Sequence, residues 1–166
     1  MKKIYLAGYD VFRPDAIQWG ETLKDLCEKY GFEGLYPLDN HAPRHLAGQE
    51  LARWICRENL GMLRSADIIM ANLNPFRGAE PDSGTVFEVG YAVALGKSAW
   101  VYTEQGDPLV KQVAVTRVPG GGPHADEQGY NVEDFGLNLN LMIACSATVV
   151  VGSVEDCLAR MAGHAA

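Results

Sequence analysis

The sequence predicts an α/β protein with a flavodoxin-like, Rossmann-like three-layer sandwich, in which helices cover both faces of a five-stranded parallel sheet. Three observations support this prediction. Short apolar segments of strand length alternate with helical patterns, glycine or proline marks most boundaries, and 48% of the residues are hydrophobic, enough for a sizeable core. Such alternation is typical of parallel sheets. We expect the strand order 2-1-3-4-5 and a single domain over residues 1–166.

The elements follow one another without an internal repeat or a linker. The first helix begins at Pro14, which suits a helix start, and ends at Gly31, which suits a helix end. Residues 104–134 include Pro119, three consecutive glycines and Pro123, so they predict a loop that serves as a spacer or as a lid. The predicted strands are residues 4–8, 32–37, 68–73, 99–103 and 148–151, and the predicted helices are residues 14–31, 51–65, 86–95, 137–145 and 154–161.

One carboxylate, Glu88, stands among the apolar residues of the third helix, which ends at Gly96. An apolar strand and a loop of proline, glycine and aspartate precede this helix, so we expect Glu88 in its first turn, beside the carboxyl end of the strand. Ligands bind at this edge of open α/β sheets. A capping box from Thr85 to Glu88 is the structural alternative. Asp82 and the hydroxyl groups that follow it favour a functional site, because capping requires fewer polar groups.

The loops after the first and third strands meet at the switch point of the predicted sheet, so their side chains are expected to share one crevice. Two carboxylates in unlike surroundings have separated pKa values, which suits acid, base and nucleophile roles. Carboxylate pairs also suit glycosidic bonds, whose transition state is a positively charged sugar. The residues alone therefore predict a small-molecule site with glycosyl chemistry. The residues expected to face this crevice are Tyr5, Asp10, Phe12, Asp82 and Glu88.

Charge and cysteine content argue against several other classes. With 14 basic and 21 acidic residues, the net charge is −7, and no basic patch predicts nucleic-acid binding. The four cysteines lack CxxC spacing and fall in helical patterns, so we expect buried, reduced thiols. Pro43, between His41 and His45, argues against a metal site. No GxGxxG fingerprint follows the first strand, so we expect neither a dinucleotide nor any other cofactor.

The apolar runs are too short for a membrane span, and the first of them ends at Asp10 without a cleavage pattern behind it. We therefore expect a soluble, cytoplasmic protein. Its acidic character fits an enzyme that acts on a small molecule.

Three blocks of the sequence resemble the nucleoside 2-deoxyribosyltransferase family. They are KIYLAGYDVF at residues 3–12, ADIIMANLNPFRGAEPDSGTVFEVGYAVALGK at residues 66–97 and FGLNLNLMI at residues 135–143. The resemblance implies a flavodoxin-like subunit that cleaves the N-glycosidic bond of a 2'-deoxynucleoside and transfers the 2-deoxyribosyl group to another nucleobase, a reaction of nucleoside salvage. It also implies a homo-oligomer, either a dimer or a hexamer built from dimers, with shared active sites.

The resemblance assigns roles by position. Glu88 is the expected nucleophile, which forms a deoxyribosyl ester, and two successive inversions give net retention. Asp82 is expected to bind the base and deliver a proton, and Tyr5 to orient the nucleophile. Asn140 is expected to reach the sugar in the neighbouring subunit's site; the alternative is a polar residue on a helix surface. Further substrate contacts are implied for Gly8, Asp10, Phe12, Asn59, Ser83, Gly84 and Met142.

The chain departs from the family pattern at two positions. Asn59 stands where well-studied members carry an aspartate that contacts the base, and an amide does not take up a proton. Tyr9 stands where many members have proline, so the pocket wall differs there.

Two alternatives to the transferase remain open. The first is a hydrolase of 2'-deoxynucleoside 5'-monophosphates, in which Ser83 and Thr85 at the helix start hold the phosphate. Helix capping is the structural alternative for these hydroxyl groups, and the charges of Glu80 and Asp82 would repel a phosphate dianion. The second is a nucleoside-binding regulator without activity, against which the presence of both Glu88 and Asp82 argues.

Overall fold

The structure is a computed structural model, and it describes residues 1–114, 116–117 and 124–165. Its main sheet has five parallel strands in the order 2-1-3-4-5, which confirms the predicted topology. The first and third strands lie side by side, and successive strands are added in opposite directions on the two sides of this pair. The switch point of the sheet therefore lies between them. The strands are β1 (Lys2–Ala7), β2 (Phe32–Leu35), β3 (Ile68–Asn72), β4 (Ser98–Thr103) and β5 (Thr148–Val151).

Helices cover both faces of this sheet, so the predicted three-layer sandwich is also confirmed. The first and last helices pack on one face, and the second, third and fifth pack on the other. The helices are α1 (Ala16–Lys29), α2 (Gly48–Ser65), α3 (Ser83–Ala94), α4 (Leu109–Gln112), α5 (Leu141–Ala144) and α6 (Val154–Ala165).

Alternation along β1 decides which side chains meet α3. Ile4 and Leu6 belong to the core beneath α1 and α6, whereas Tyr5 and Ala7 belong to the core beneath α2 and α3. Burial of each large apolar side chain contributes about 1.5–3 kcal/mol to folding. Tyr5 has no exposed surface, so its hydroxyl must find a partner on the α3 side of the sheet.

The start of α3 differs from the prediction. Asp82 is the N-cap, and its carboxylate accepts a hydrogen bond from the Thr85 backbone N–H at 2.9 Å. Glu88 therefore lies in the second turn rather than the first as predicted, and the structural alternative for Glu88, a capping box from Thr85 to Glu88, is excluded. Asp82 is the better cap because its short side chain reaches the amide three residues on, which leaves Glu88 free for another role.

The predicted helix at residues 137–145 is also wrong in extent, since α5 covers Leu141–Ala144. The cause is side-chain competition for backbone groups, which asparagine favours. Asn138 donates to the Gln105 carbonyl, and the Asn140 oxygen accepts from the Met142 N–H, so Asn140 caps the helix instead of lying within it.

The stretch at residues 104–134 contains α4 and a short antiparallel pair, Thr116–Arg117 with His124–Ala125. It is therefore more regular than the predicted loop. Pro119, the glycines at 120–122 and Pro123 lie outside the described residues.

The cysteine prediction holds in part. All four thiols are free, and Cys27 and Cys157 are buried, but Cys56 and Cys145 are exposed. Within the described ranges, no three His, Cys, Asp or Glu side chains are grouped so that they could hold a metal ion. Among these same residues, every helix is too short or too polar to cross a bilayer.

Candidate active site

A cavity of about 620 Å³ opens at the carboxyl edge of the sheet. The segments that follow β1 and β2, the N-terminal part of α3 and one face of α2 form its walls. This is the switch-point position that the sequence predicts, and the volume suits a small organic ligand. Six of the residues predicted to contact substrate line it, namely Gly8, Phe12, Asn59, Asp82, Gly84 and Glu88.

Glu88 combines partial burial with one strong hydrogen bond. The Tyr5 hydroxyl donates to Glu88 Oε1 at 2.5 Å, so the strand below the helix fixes the carboxylate. Burial raises the pKa of Glu88 from 4.5 to about 7; the hydrogen bond from Tyr5 lowers it, and the negative charge of Asp82 raises it. Burial and the neighbouring carboxylate also raise the pKa of Tyr5 far above its ordinary value, so this hydroxyl keeps its proton.

Asp82 serves the helix and borders the cavity at the same time. Its Oδ2 atom accepts from both the backbone N–H and the hydroxyl of Thr85, each at 2.9 Å. Thr85 is buried, and its hydroxyl is thereby committed to Asp82. Neither residue is therefore a mere surface cap, because both also line the cavity that contains Glu88.

Asp10 lies close to the cavity but does not line it. Its carboxylate is buried and accepts from Trp19 Nε1 at 2.9 Å and from Asn72 Nδ2 at 2.9 Å. A Cβ atom at Gly8 would lie 2.6 Å from Asp10 Oδ2, so the absence of a side chain at Gly8 makes room for this network. The structure thus gives Asp10 a role in holding the loop after β1.

An aromatic stack braces the rim beside Phe12. Phe76 stacks on Tyr9 with ring centroids 4.8 Å apart and on Phe12 with centroids 5.5 Å apart. The guanidinium of Arg77 lies 4.6 Å from the centre of the Phe76 ring. The long loop between β3 and α3 is therefore held against the segment after β1, and Phe12 keeps 57% of its surface exposed for contact with a ligand.

Apart from Asn59, the wall formed by α2 and the segment after β2 is the part that the sequence did not reveal. Its apolar residues looked like ordinary core, yet in α2 it is Leu63, near the end, that is fully buried. The missed residues that line the cavity include Leu38, Asn40, Leu51, Trp54, Ile55 and Leu60. A signal existed in the spacing of Leu51, Trp54 and Ile55, which places them on one face of α2 ahead of its buried end.

The remaining predicted residues are not brought to this cavity within one chain. Ser83 is exposed at the start of α3 and does not line the cavity. Asn140 and Met142 are exposed at α5, and Asn140 borders a separate, narrow cleft. Asn140 Nδ2 donates to Glu133 Oε1 at 2.8 Å, so Glu133 fixes its side chain.

Fold and site together define an α/β protein with a partly buried, hydrogen-bonded carboxylate in a ligand-sized cavity at the switch point of its sheet. The model of the nucleoside 2-deoxyribosyltransferase family matches residues 4–142. The chain belongs to this family of enzymes, which act on nucleosides and nucleobases.

Individual relatives agree with this placement. A 2-desoxiribosyltransferase from Leishmania mexicana is 35% identical, with a TM-score of 0.79 and 99% of each chain covered. The uncharacterized protein C191.05c of Schizosaccharomyces pombe is 30% identical over 155 residues, which cover 84% of this chain and 74% of that protein. A conserved protein from Enterococcus faecalis V583 is 21% identical, with a TM-score of 0.62 over 99% of each chain, and shares the fold. The family match and the Leishmania mexicana enzyme support an activity of the nucleoside deoxyribosyltransferase type.

Proposed function

We propose that this protein transfers the 2-deoxyribosyl group of a 2'-deoxynucleoside to another nucleobase through a covalent ester on Glu88. The observation that carries the proposal is the Glu88 carboxylate, which borders the cavity and accepts a 2.5 Å hydrogen bond from Tyr5. The match to the Leishmania mexicana 2-desoxiribosyltransferase over 99% of both chains supports the same reaction class.

In the first half of the proposed reaction, a Glu88 oxygen attacks C1' of the sugar. The C1'–O bond forms as the C1'–N bond breaks, and the bonding electron pair leaves with the base. The departing nitrogen takes up a proton from solvent, which Asp82, at the cavity wall, relays. Oδ2 of Asp82 is engaged with Thr85, so this transfer uses Oδ1.

In the second half, a nitrogen of the incoming base attacks C1' of the ester. The C1'–O bond breaks, the Glu88 carboxylate is regenerated, and Asp82 relays to solvent the proton that the incoming base loses. Each half inverts the configuration at C1', so the product retains the configuration of the substrate. This chemistry requires Glu88 to be ionised, which its pKa of about 7 allows in slightly alkaline solution.

Tyr5 is proposed as the residue that orients the nucleophile. Its hydroxyl donates a hydrogen bond to Oε1 of Glu88, so Oε2 is the oxygen left to attack the sugar. Because the pKa of Tyr5 is raised far above the physiological range, Tyr5 acts as a hydrogen-bond donor and not as a base.

Asn140 is proposed to act across a subunit boundary in a homo-oligomer. It is exposed, caps α5 and is held by Glu133, which together suit a residue presented to a second copy of the chain. A mixture of the inactive variants Glu88→Ala and Asn140→Ala is therefore expected to regain activity, because one hybrid site has both residues. Pull-down of a tagged variant establishes that subunits exchange, and exchange without recovery would contradict shared sites.

The monophosphate hydrolase is the weaker candidate for this chain. Ser83 does not line the cavity, and the hydroxyl and N–H of Thr85 both donate to Asp82. The groups that would hold a phosphate are thus absent from the wall or already engaged. A silent regulator is disfavoured because nothing in ligand binding requires a carboxylate with a pKa raised to about 7 beside Tyr5.

Base exchange separates the three candidates. The protein is incubated with 2'-deoxyguanosine and hypoxanthine, and in parallel with thymidine and uracil, and the products are resolved by chromatography. The transferase forms 2'-deoxyinosine or 2'-deoxyuridine. Free 2-deoxyribose without a new nucleoside, or release of base from 2'-deoxynucleoside 5'-monophosphates alone, would indicate hydrolysis, and no turnover would indicate the regulator.

A further inference from the structure

The cavity contains an amide pair whose hydrogen bond fixes what it offers to a ligand. Asn40 Nδ2 donates to Asn59 Oδ1 at 3.2 Å, and both residues line the cavity and are partly buried. The oxygen of Asn59 therefore points to Asn40, which leaves its NH₂ group as the free end of the amide. Within the described residues, no protein group accepts a hydrogen bond from this nitrogen.

We propose that Asn40, by holding the oxygen of Asn59, makes the pocket select nucleobases with a carbonyl group at purine C6 or pyrimidine C4 over those with an amino group at that position. This inference rests on the proposed transferase function. Glu88 and Asp82 belong to α3, whereas Asn40 and Asn59 come from the segment after β2 and from α2, so the sugar and the amide pair lie against different walls. A base bonded to a sugar at Glu88 extends its exocyclic group away from α3.

The selection follows from hydrogen-bond complementarity. A carbonyl oxygen, as in hypoxanthine, guanine, uracil and thymine, accepts from the free NH₂ group of Asn59. The amino group of adenine or cytosine would place a donor against this donor and leave both without a partner. We expect a preference of about tenfold or more, the size that one such hydrogen bond gives.

Asn40 is thus a positioning residue, and a substitution there should reverse the amide of Asn59 without removing it. In Asn40→Asp, the new carboxylate can only accept, so it draws the NH₂ group of Asn59 towards itself and turns the oxygen to the cavity. The preference should then shift to adenine and cytosine. Asn59→Asp should have the same effect, because it replaces the free NH₂ group directly with an acceptor.

The test is a competition between acceptors for one deoxyribosyl donor. Wild type and variants receive 2'-deoxyguanosine with equal hypoxanthine and adenine, or thymidine with equal uracil and cytosine, and initial product ratios are measured. The ratio depends on the acceptor step alone, so partial unfolding or a change at Glu88 does not alter it. Gln49→Glu, which adds the same charge at an exposed position of α2, is the matched control.

We expect wild type and Gln49→Glu to favour hypoxanthine and uracil by about tenfold, and both aspartate variants to lower this ratio by about tenfold or more. A wild type that uses both kinds of base equally, or aspartate variants that keep the wild-type ratio, would overturn the inference while the transferase stands. Absence of transfer to any base would overturn the proposed function itself, and the inference with it.

Discussion

Two carboxylates near the carboxyl edge of the sheet, Asp10 and Glu88, show how similar sequence signals lead to different roles. Asp10 is buried and accepts from two side-chain donors, Trp19 and Asn72, and it does not line the cavity. Glu88 accepts from Tyr5 and lines the cavity. A carboxylate whose oxygens are matched by protein donors stabilises a loop, whereas one that faces open space keeps an oxygen for a ligand.

The largest expected effect on activity is at Glu88, the carboxylate that lines the cavity. In Glu88→Gln the nucleophile is lost but the shape is kept, so turnover should fall by at least about a thousandfold while the fold persists. Base-exchange rates and circular dichroism of the same preparation measure both. Asp10→Asn, the matched variant at the other carboxylate, should retain far more activity per folded molecule. Equal losses at the two positions would contradict the division of roles.

Asp10 should dominate stability instead. Asp10→Ala leaves the buried donors of Trp19 and Asn72 without an acceptor, and we expect a loss of about 3 kcal/mol in the free energy of unfolding. Urea denaturation measures this loss. Asp15→Ala, which removes an exposed carboxylate paired with Arg13, is the control and should change stability little. A mild effect at Asp10 would mean that its network is dispensable.

Replacement of Glu88 should raise the free energy of unfolding, whereas replacement of Asp10 lowers it. Its folded-state pKa of about 7 exceeds the ordinary 4.5, so the folded state binds the proton more tightly and stability falls as pH rises between these values. The full cost above pH 7 is about 3 kcal/mol. Glu88→Gln should therefore be more stable than wild type by about this amount at pH 8, and the difference should vanish near pH 4. Urea titrations at both pH values measure it; a pH-independent difference would refute the raised pKa.

The smallest expected effect is at Tyr5. Tyr5→Phe removes the hydrogen bond that lowers the pKa of Glu88, so the acid limb of the kcat/KM profile, expected near pH 7, should move to higher pH. The rate at pH 8 should also fall by about tenfold. Tyr9→Phe, which keeps the aromatic ring that stacks on Phe76, serves as the control. An unmoved acid limb would show that Tyr5 does not orient the nucleophile.

Much of the fold was predictable because its signals are local. Strand order, layers and the position of the cavity follow from apolar runs that alternate with helices, and Glu88 is conspicuous as a charge among apolar neighbours. The contribution of Tyr5 is predictable by alternation once the sheet face of α3 is known. These features depend on the periodicity of apolar residues, which can be read directly from the sequence.

The rest depends on choices between competing partners. Asp82 and Asn140 became helix caps because short polar side chains reach nearby amides, which shortened one predicted helix and moved the start of another. Trp54 and Ile55 resemble core residues in sequence, although they line the cavity. The hydrogen bond between Asn40 and Asn59 joins residues 19 positions apart, one in the segment after β2 and one in α2. No pattern in the sequence predicts it.

Trapping of the intermediate tests the central claim most directly. The protein is mixed with a 2'-deoxynucleoside in the absence of acceptor base, quenched with acid, digested and analysed by mass spectrometry. We predict a mass increase equal to one 2-deoxyribosyl group on the peptide that contains Glu88, and no such increase in Glu88→Gln. Turnover with the sugar attached to a different residue would contradict a covalent role for Glu88.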